Sequence, residues 1–162
     1  MWRPSRAEDA SLMSLVELQS VASDTDWRRL EIARREIEIA FAGGAPNDVP
    51  SMIAGIKKVI SNFEADWFFA VHAGEIVGEA GLVEFTIKGK KVGRLQDIDI
   101  LPKFQGRRLG NELLKSIFLE ARKRGLTGLC LKADEDRWVK DWYVRRGFEH
   151  VGTWYPEKLQ VP

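Results

Sequence analysis

The stretch that most constrains the fold runs from Asp97 to Arg124, DIDILPKFQGRRLGNELLKSIFLEARKR. Ile98 and Ile100 alternate with Asp97 and Asp99 up to Pro102. That alternation predicts a strand, and proline fits its end because it donates nothing to a ladder. Beyond a short polar loop, Leu109, Leu113, Leu114, Ile117, Phe118 and Ala121 recur at helical spacing, which predicts a long helix with one buried face. Lys103, Arg107 and Arg108 crowd at the start of that helix, where each positive charge opposes the helix dipole by about 0.3–1 kcal/mol. An anion seated on the free amides of the first turn makes sense of the arrangement. Charge alone leaves phosphate binding balanced against a simple solvated loop.

The bulk composition narrows the classes. At 162 residues the chain is long enough for one domain with its own core, and a single domain over 1–162 is expected. Hydrophobic residues at 44% and charged residues at 30% are ordinary for a globular protein, and the net charge of +1 does not ask for nucleic acid. One cysteine, Cys130, rules out an internal disulfide and fits a reducing, cytoplasmic setting. No apolar run approaches the length of a membrane span, and the start MWRPSRAED lacks a signal-peptide core. Two histidines and one cysteine without clustered spacing argue against a metal site. Nucleotide-binding glycine motifs and a G-x-S-x-G elbow are both missing.

Read in order, the chain opens with a short edge strand, Trp2 to Pro4. A helix is expected after Ser5, striped by Leu12, Leu15, Val16 and Leu18. Asp24 or Thr25 would cap a second helix carrying Leu30, Ala33 and Ile37, with Glu31 and Arg35 as an exposed pair. GGAPNDVP is a turn, and Ser51 opens a third helical run through Ile53, Ile56 and Val59. Strands Trp67–Val71, Ile76–Phe85 and Val92–Leu101 follow, joined by turns at His72–Glu75 and Lys88–Lys91, so an antiparallel meander is expected. Gly78 and Gly81 suggest a bulge or a close backbone approach. A strand over Leu129–Ala133 should lie parallel to the one before the central helix, and Phe148–Trp154 should add a last strand. The segment between the first helix and the meander is the expected seat of acceptor specificity, or else only a cover for the sheet.

ILPKFQGRRLGNELL resembles the signature loop of the GNAT-type N-acetyltransferases, Q/R-x-x-G-x-G/A, with Gln105 as its first position and Gly110 as its last. Arg108 stands where the first motif glycine is usual, and its guanidinium can itself reach a phosphate. Farther on, DRWVKDWYVRRGFEHVG is similar to the family's N-x-x-A-x-x-x-Y-x-x-x-G-F pattern. Tyr143, Gly147 and Phe148 match, while Asp136 replaces the asparagine and Val139 the alanine. The opening WRPSRAEDASLMSL is a weaker echo of the same family.

The resemblance implies an α/β (α+β) fold, acyl-CoA N-acyltransferase-like, with a mixed, largely antiparallel sheet of six or seven strands flanked by helices. It implies acetyl-CoA as acetyl donor and an amine as acceptor, without metal, nucleic acid or membrane, and it leaves a homodimer open. The donor's pyrophosphate would meet the loop of Gln105, Gly106, Arg107, Arg108, Leu109, Gly110 and Asn111. Its pantetheine arm would run along the backbone of Ile98, Asp99 and Ile100. Asp136 would bond the donor or substrate, or else cap the following helix.

Tyr143 takes the family's role of general acid, protonating the departing thiolate; an unperturbed phenol is protonated at neutral pH. Asp97, Asp99, Glu79 and Glu84 are the carboxylates available as base, with Asp97 placed first. The rival reading is a non-catalytic coenzyme A binder or sensor of the same fold, suggested by Arg108 and Asp136. A protein whose basic loop meets an acidic partner is the other.

Overall fold

The computed structural model describes residues 1–6, 13–41, 48–133 and 138–153. Six strands form one sheet: β1 (Trp2–Pro4), β2 (Glu17–Ser20), β3 (Glu64–His72), β4 (Glu75–Ile87), β5 (Lys90–Ile100) and β6 (Gly128–Cys130), in the order β1-β6-β5-β4-β3-β2. The helices are α1 (Asp24–Phe41), α2 (Val49–Asn62), α3 (Leu109–Lys123) and α4 (Trp138–Val144), with a 3-10 turn at Pro102–Phe104. All pairings are antiparallel except β5 with β6, as expected for strands on either side of α3.

The sheet is buried on both sides, which is why β3 reads as an unbroken apolar run. Trp67 and Phe69 join Leu30 of α1 and Val49, Ile53 and Ile56 of α2 in one core. Phe68 and Ala70, pointing the other way by the two-residue period of a strand, join Leu113, Leu114 and Ile117 of α3 in a larger one. Ser23 rather than Asp24 or Thr25 starts α1. Its Oγ accepts from the Asp26 amide at 3.1 Å, and Asp26 accepts from the Ser23 amide at 3.0 Å, a reciprocal cap. Asp48 caps α2 through the Ser51 amide at 3.2 Å.

Two expectations are corrected. No helix runs through Leu15, Val16 and Leu18. Glu17–Ser20 instead pairs with β3, Leu18 opposite Ala70, and Leu15 is exposed. Val16 and Leu18 pack toward the larger core two residues apart, a strand period, so pairing to β3 overrides the local helical reading. Leu12 lies outside the described residues. The last strand is reduced to an isolated bridge between Trp2 and Glu149, with Phe148 buried beside it. Trp154 lies outside the described residues.

The glycines of β4 mark close approaches. A Cβ on Gly81 would stand 2.6 Å from the Trp67 ring, and one on Gly78 would stand 2.2 Å from the Asp99 carbonyl oxygen. Between them the ladder slips. Glu79 pairs with Asp99 and Gly81 with Gln96, so Asp97 and Ile98 together face Ala80. The result is a bulge in β5, and Asp97 carries a positive φ of 47° within it.

Candidate active site

The bulge sits where β5 leaves its parallel neighbour. β5 pairs with β6 only at Gly93–Leu129 and Arg94–Cys130. From Leu95 to Ile100 the β5 edge on that side has no strand laddered to it among the described residues. Apart from the Ile100 carbonyl, which accepts from the Gln105 side chain, backbone donors and acceptors on that edge are open to a ligand. A cleft of about 870 Å³ lies along this edge, bounded by α1, the turn after β5, the start of α3, and α4. Ile98, Asp99, Ile100, Gln105, Gly106, Arg108, Leu109, Gly110, Asn111 and Tyr143 all line it. The sequence-predicted positions therefore converge on one cavity. Arg107 does not line it, its guanidinium lying 5.5 Å over the Phe104 ring. Asp136 lies outside the described residues.

The loop before α3 has a definite local logic. The Gln105 amide group donates to the Ile100 carbonyl at 3.0 Å, tying the loop back to the strand end. Gly106 has a φ of 77°, and Arg108, at the N-terminal boundary of α3, has a φ of 62°. This left-handed backbone is the conformation that favours glycine, which accounts for the motif glycine usual at the Arg108 position. A Cβ at Gly110 would meet Trp142 at 3.6 Å and Ile100 at 3.8 Å, ordinary contacts, so alanine fits there as well. The Asn111 amide donates to the Arg108 carbonyl at 3.0 Å, and the amides of Leu109 and Gly110 before it, like those of any helix start, lack intrahelical partners beside the cleft wall.

α4 carries the acid candidate. Tyr143 is buried, held edge-on by Trp142 (ring centroids 4.8 Å apart) and Phe148 (5.3 Å). Its hydroxyl makes no hydrogen bond among the described residues. Burial pushes its pKa well up, with the Asp99 charge adding and Arg146 opposing, so the phenol stays protonated.

At the inner end of the cleft the carboxylates gather around Arg34, a residue the sequence reading passed over. Arg34 is buried. Its Nε lies 2.9 Å from Glu79 Oε1, one terminal nitrogen 3.3 Å from Asp97, and the other 3.5 Å from Asp99 and 4.0 Å from Glu38. Four carboxylates thus share one guanidinium. Burial opposes the Arg34 charge, but Glu79, Asp97 and Asp99 together hold its pKa up. Burial pushes Glu79, which has no exposure, up to about 8; Arg34 resists, while Asp99 and Asp97 add. Burial likewise raises Asp99, again against Arg34 and with Asp97 and Glu38 adding. Asp97 is not among the side chains lining the cleft; Asp99 is. The signal for Arg34 lay in the sequence: it occupies the buried stripe of α1, between Leu30 and Ile37. Trp138 and Trp142 on α4, Arg146 in the turn after it and Phe41 on α1 also line the cleft unforeseen, two of the six tryptophans among them.

Among the described residues no cluster of side chains suits a metal ion, and no helix is long and apolar enough to cross a membrane. His72 bonds the Leu15 carbonyl and His150 contacts Thr153, both away from the cleft lining.

Comparison with known proteins agrees with this geometry. No curated protein matches the chain. Its fold is similar to that of an acetyltransferase from Trypanosoma brucei (TM-score 0.63, 21% identity, 89% of this chain and 99% of the other). A predicted acetyltransferase from Clostridium acetobutylicum, solved with acetyl-CoA, superposes with a TM-score of 0.65 at 19% identity, covering 89% and 96%. An aminoglycoside acetyltransferase from an uncultured soil metagenomic sample, in complex with sisomicin, gives 0.63 at 16% identity over 88% and 95%. At these identities the likeness is one of fold. The model of the acetyltransferase (GNAT) domain matches residues 64–150, from the first residue of β3 past Tyr143 and the Gly147–Phe148 turn. That span is more than half of the chain and contains the open β5 edge and the α3 loop, so the chain belongs to the GNAT acetyltransferase family.

Proposed function

We propose that this enzyme transfers an acetyl group from acetyl-CoA to a primary amine by direct attack within the cleft between β5, α3 and α4. The observation that carries the reading is the convergence on one cavity of an open strand edge, a phosphate-sized loop at a helix start, and a protonated tyrosine. Acetyl-CoA supplies the activated acyl group as a thioester. The backbone of Ile98–Ile100 holds the pantetheine arm and offers an amide toward the thioester oxygen, where negative charge develops. The first-turn amides of α3 and the guanidinium of Arg108 hold the pyrophosphate.

Asp99 is the base that the geometry favours over Asp97. It faces the cleft on the same side as Tyr143, and burial has raised its proton affinity toward the range useful at neutral pH. Asp97, on the bulge, keeps its carboxylate against Arg34 and adds negative potential that attracts a protonated amine. Asp99 takes the amine proton, directly or through water, and the Tyr143 hydroxyl gives its proton to the departing sulfur. Arg34 positions both aspartates and limits how far the Asp99 pKa rises. Ile37, Phe41 and Trp138 give the acceptor side of the cleft an apolar wall.

The test couples binding to turnover. Thermal unfolding is followed with acetyl-CoA, ATP or inorganic phosphate, and thiol release is followed with a panel of amines. Saturation at about 100 times the dissociation constant adds roughly 2.7 kcal/mol, readily seen as a raised midpoint. Acetyl-CoA is expected to raise the midpoint, and ATP and phosphate to leave it. Tyr143→Phe should keep that shift and lower kcat by about 10²–10⁴-fold, the range for a general acid. Unchanged turnover in Tyr143→Phe removes the tyrosine from the mechanism. A midpoint indifferent to acetyl-CoA overturns the donor assignment.

A further inference from the structure

α1 turns Ile37, Ala40 and Phe41 toward the cleft, and α4 turns Trp138, Val139 and Trp142. Their spacing puts each set along one helix face. Two of these side chains are not core: Phe41 is 67% exposed and Trp138 73%. Large aromatics so exposed, on two separate elements of one cleft, mark a surface that a ligand covers. Charge is laid out as unevenly. Among the described residues Asp99 is the only carboxylate lining the cleft, and the other charged lining residues, Arg108 and Arg146, lie on the α3 side. Behind Asp99, Asp97 and Glu38 share Arg34 with it. Glu79, pushed up to about 8 by burial against Arg34, keeps its proton at neutral pH. Glu38, Asp97 and Asp99 therefore outnumber the one guanidinium they share, and the surplus of negative charge sits at one end of an apolar channel. Resting on the acetyl-transfer reading above, we infer that the acceptor is a small monoamine: one ammonium on an aromatic or alkyl body, with no carboxylate and no second cation.

Each part of that class follows from a wall. The ammonium is drawn to the surplus at Asp97 and Asp99. The body lies along the helix faces, where no further carboxylate among the described lining residues offsets the desolvation of a second ammonium. A polyamine is disfavoured for that reason. An α-amino acid carries its carboxylate one carbon from the nitrogen, against Asp97 and Asp99, where like charges repel. A peptide brings backbone amides that these side chains, indole nitrogens apart, cannot pair. Apolar carbon gains instead, each fully buried methylene being worth about fourfold in a rate or binding ratio. The reaction stays the transfer proposed above. The ammonium gives one proton to Asp99, its nitrogen bonds the acetyl carbon as the carbon–sulfur bond breaks, and the proton it then sheds restores the one Tyr143 gives to sulfur.

Thiol release at saturating acetyl-CoA tests the class, with kcat/KM measured for ethylamine, n-hexylamine, 2-phenylethylamine, phenylalanine, spermidine and trialanine. Hexylamine and 2-phenylethylamine are expected to lead ethylamine by about 10–100-fold. They should lead phenylalanine, spermidine and trialanine by about tenfold or more. Trp138→Ala and Phe41→Ala, both at exposed positions, should each narrow the preference for 2-phenylethylamine over ethylamine about tenfold. That ratio is unaffected by a general loss of folded enzyme. Asp97→Asn, asparagine being well suited to the positive φ there, should narrow the preference over phenylalanine about tenfold. Phenylalanine, spermidine or trialanine turned over as well as 2-phenylethylamine overturns the monoamine class. So do ratios unmoved by the aromatic variants or by Asp97→Asn. Acetyl-CoA that raises the unfolding midpoint while no amine of the panel is acetylated overturns it too, and leaves donor binding standing. A midpoint that acetyl-CoA does not move fails the donor reading first, and the acceptor class with it.

Discussion

Arg34 is the side chain on which the chemistry of this site turns. It is paired with Glu38, Glu79, Asp97 and Asp99, and it joins α1 to two strands at the bulge. Removing it leaves buried carboxylates uncompensated, a change that typically costs about 3–5 kcal/mol when a buried pair is broken. Asp99 would also lose the charge that opposes its burial. The acid limb of the kcat/KM profile should therefore move to higher pH in Arg34→Met, and Arg34→Lys should restore part of it. A profile unmoved in both variants, with folding intact, would detach Asp99 from the rate. The motif residues of the α3 loop and Tyr143 were legible in the sequence because their pattern is local and fixed in spacing. The place of Arg34 in the buried stripe of α1 was legible too, but its carboxylate partners and the choice between Asp97 and Asp99 were not. They depend on a bulge that shifts the register of β5 against β4, a fact of pairing rather than of local sequence.

At the scale of elements, the start of α3 carries a stored cost. Arg108 adopts a φ of 62°, a conformation that costs a residue with a Cβ about 1–2 kcal/mol. Arg108→Gly and Arg108→Ala both remove the guanidinium, but only the first relieves the backbone. The glycine variant should be the more stable of the two by about 1 kcal/mol, read from urea unfolding midpoints. Equal stabilities would mean the loop relaxes without strain, and the guanidinium alone would then explain any change in donor affinity. The hairpins around Gly74 and Gly89, both at positive φ, and the amphipathic α3 were readable because turn chemistry and periodicity agree there. β2 was misread because its four residues, Glu17 to Ser20, carry a weak pattern of their own. They become a strand through pairing with β3, a contact some fifty residues away in sequence that no local window contains.

The whole molecule should register the acidic cluster as a pH dependence of stability. A carboxyl whose pKa rises on folding binds its proton more tightly in the native state than in the unfolded one. Glu79 moves from the ordinary 4.5 to about 8 through burial, against Arg34 and with Asp99 and Asp97 assisting. Between those values the unfolded chain has lost the proton and the native protein keeps it, so stability falls as pH rises through that window. Asp99, also raised by burial, slopes the same way. Below the window the balance reverses. Asp26 and Asp48, whose pKa values are lowered by hydrogen bonds from Ser23 and Ser51, contribute stability that is lost on acidification. Maximal stability is therefore expected near pH 5 rather than at neutrality. Urea unfolding at pH 5 and pH 8 measures the difference, which is on the order of a few kcal/mol if Glu79 dominates. Glu79→Gln keeps the shape of the side chain beside Arg34 and cannot titrate, so its stability should change far less between the two conditions. The same loss in wild type and variant would place the titrating group elsewhere, and Arg34 would then face an ionised Glu79 throughout the neutral range.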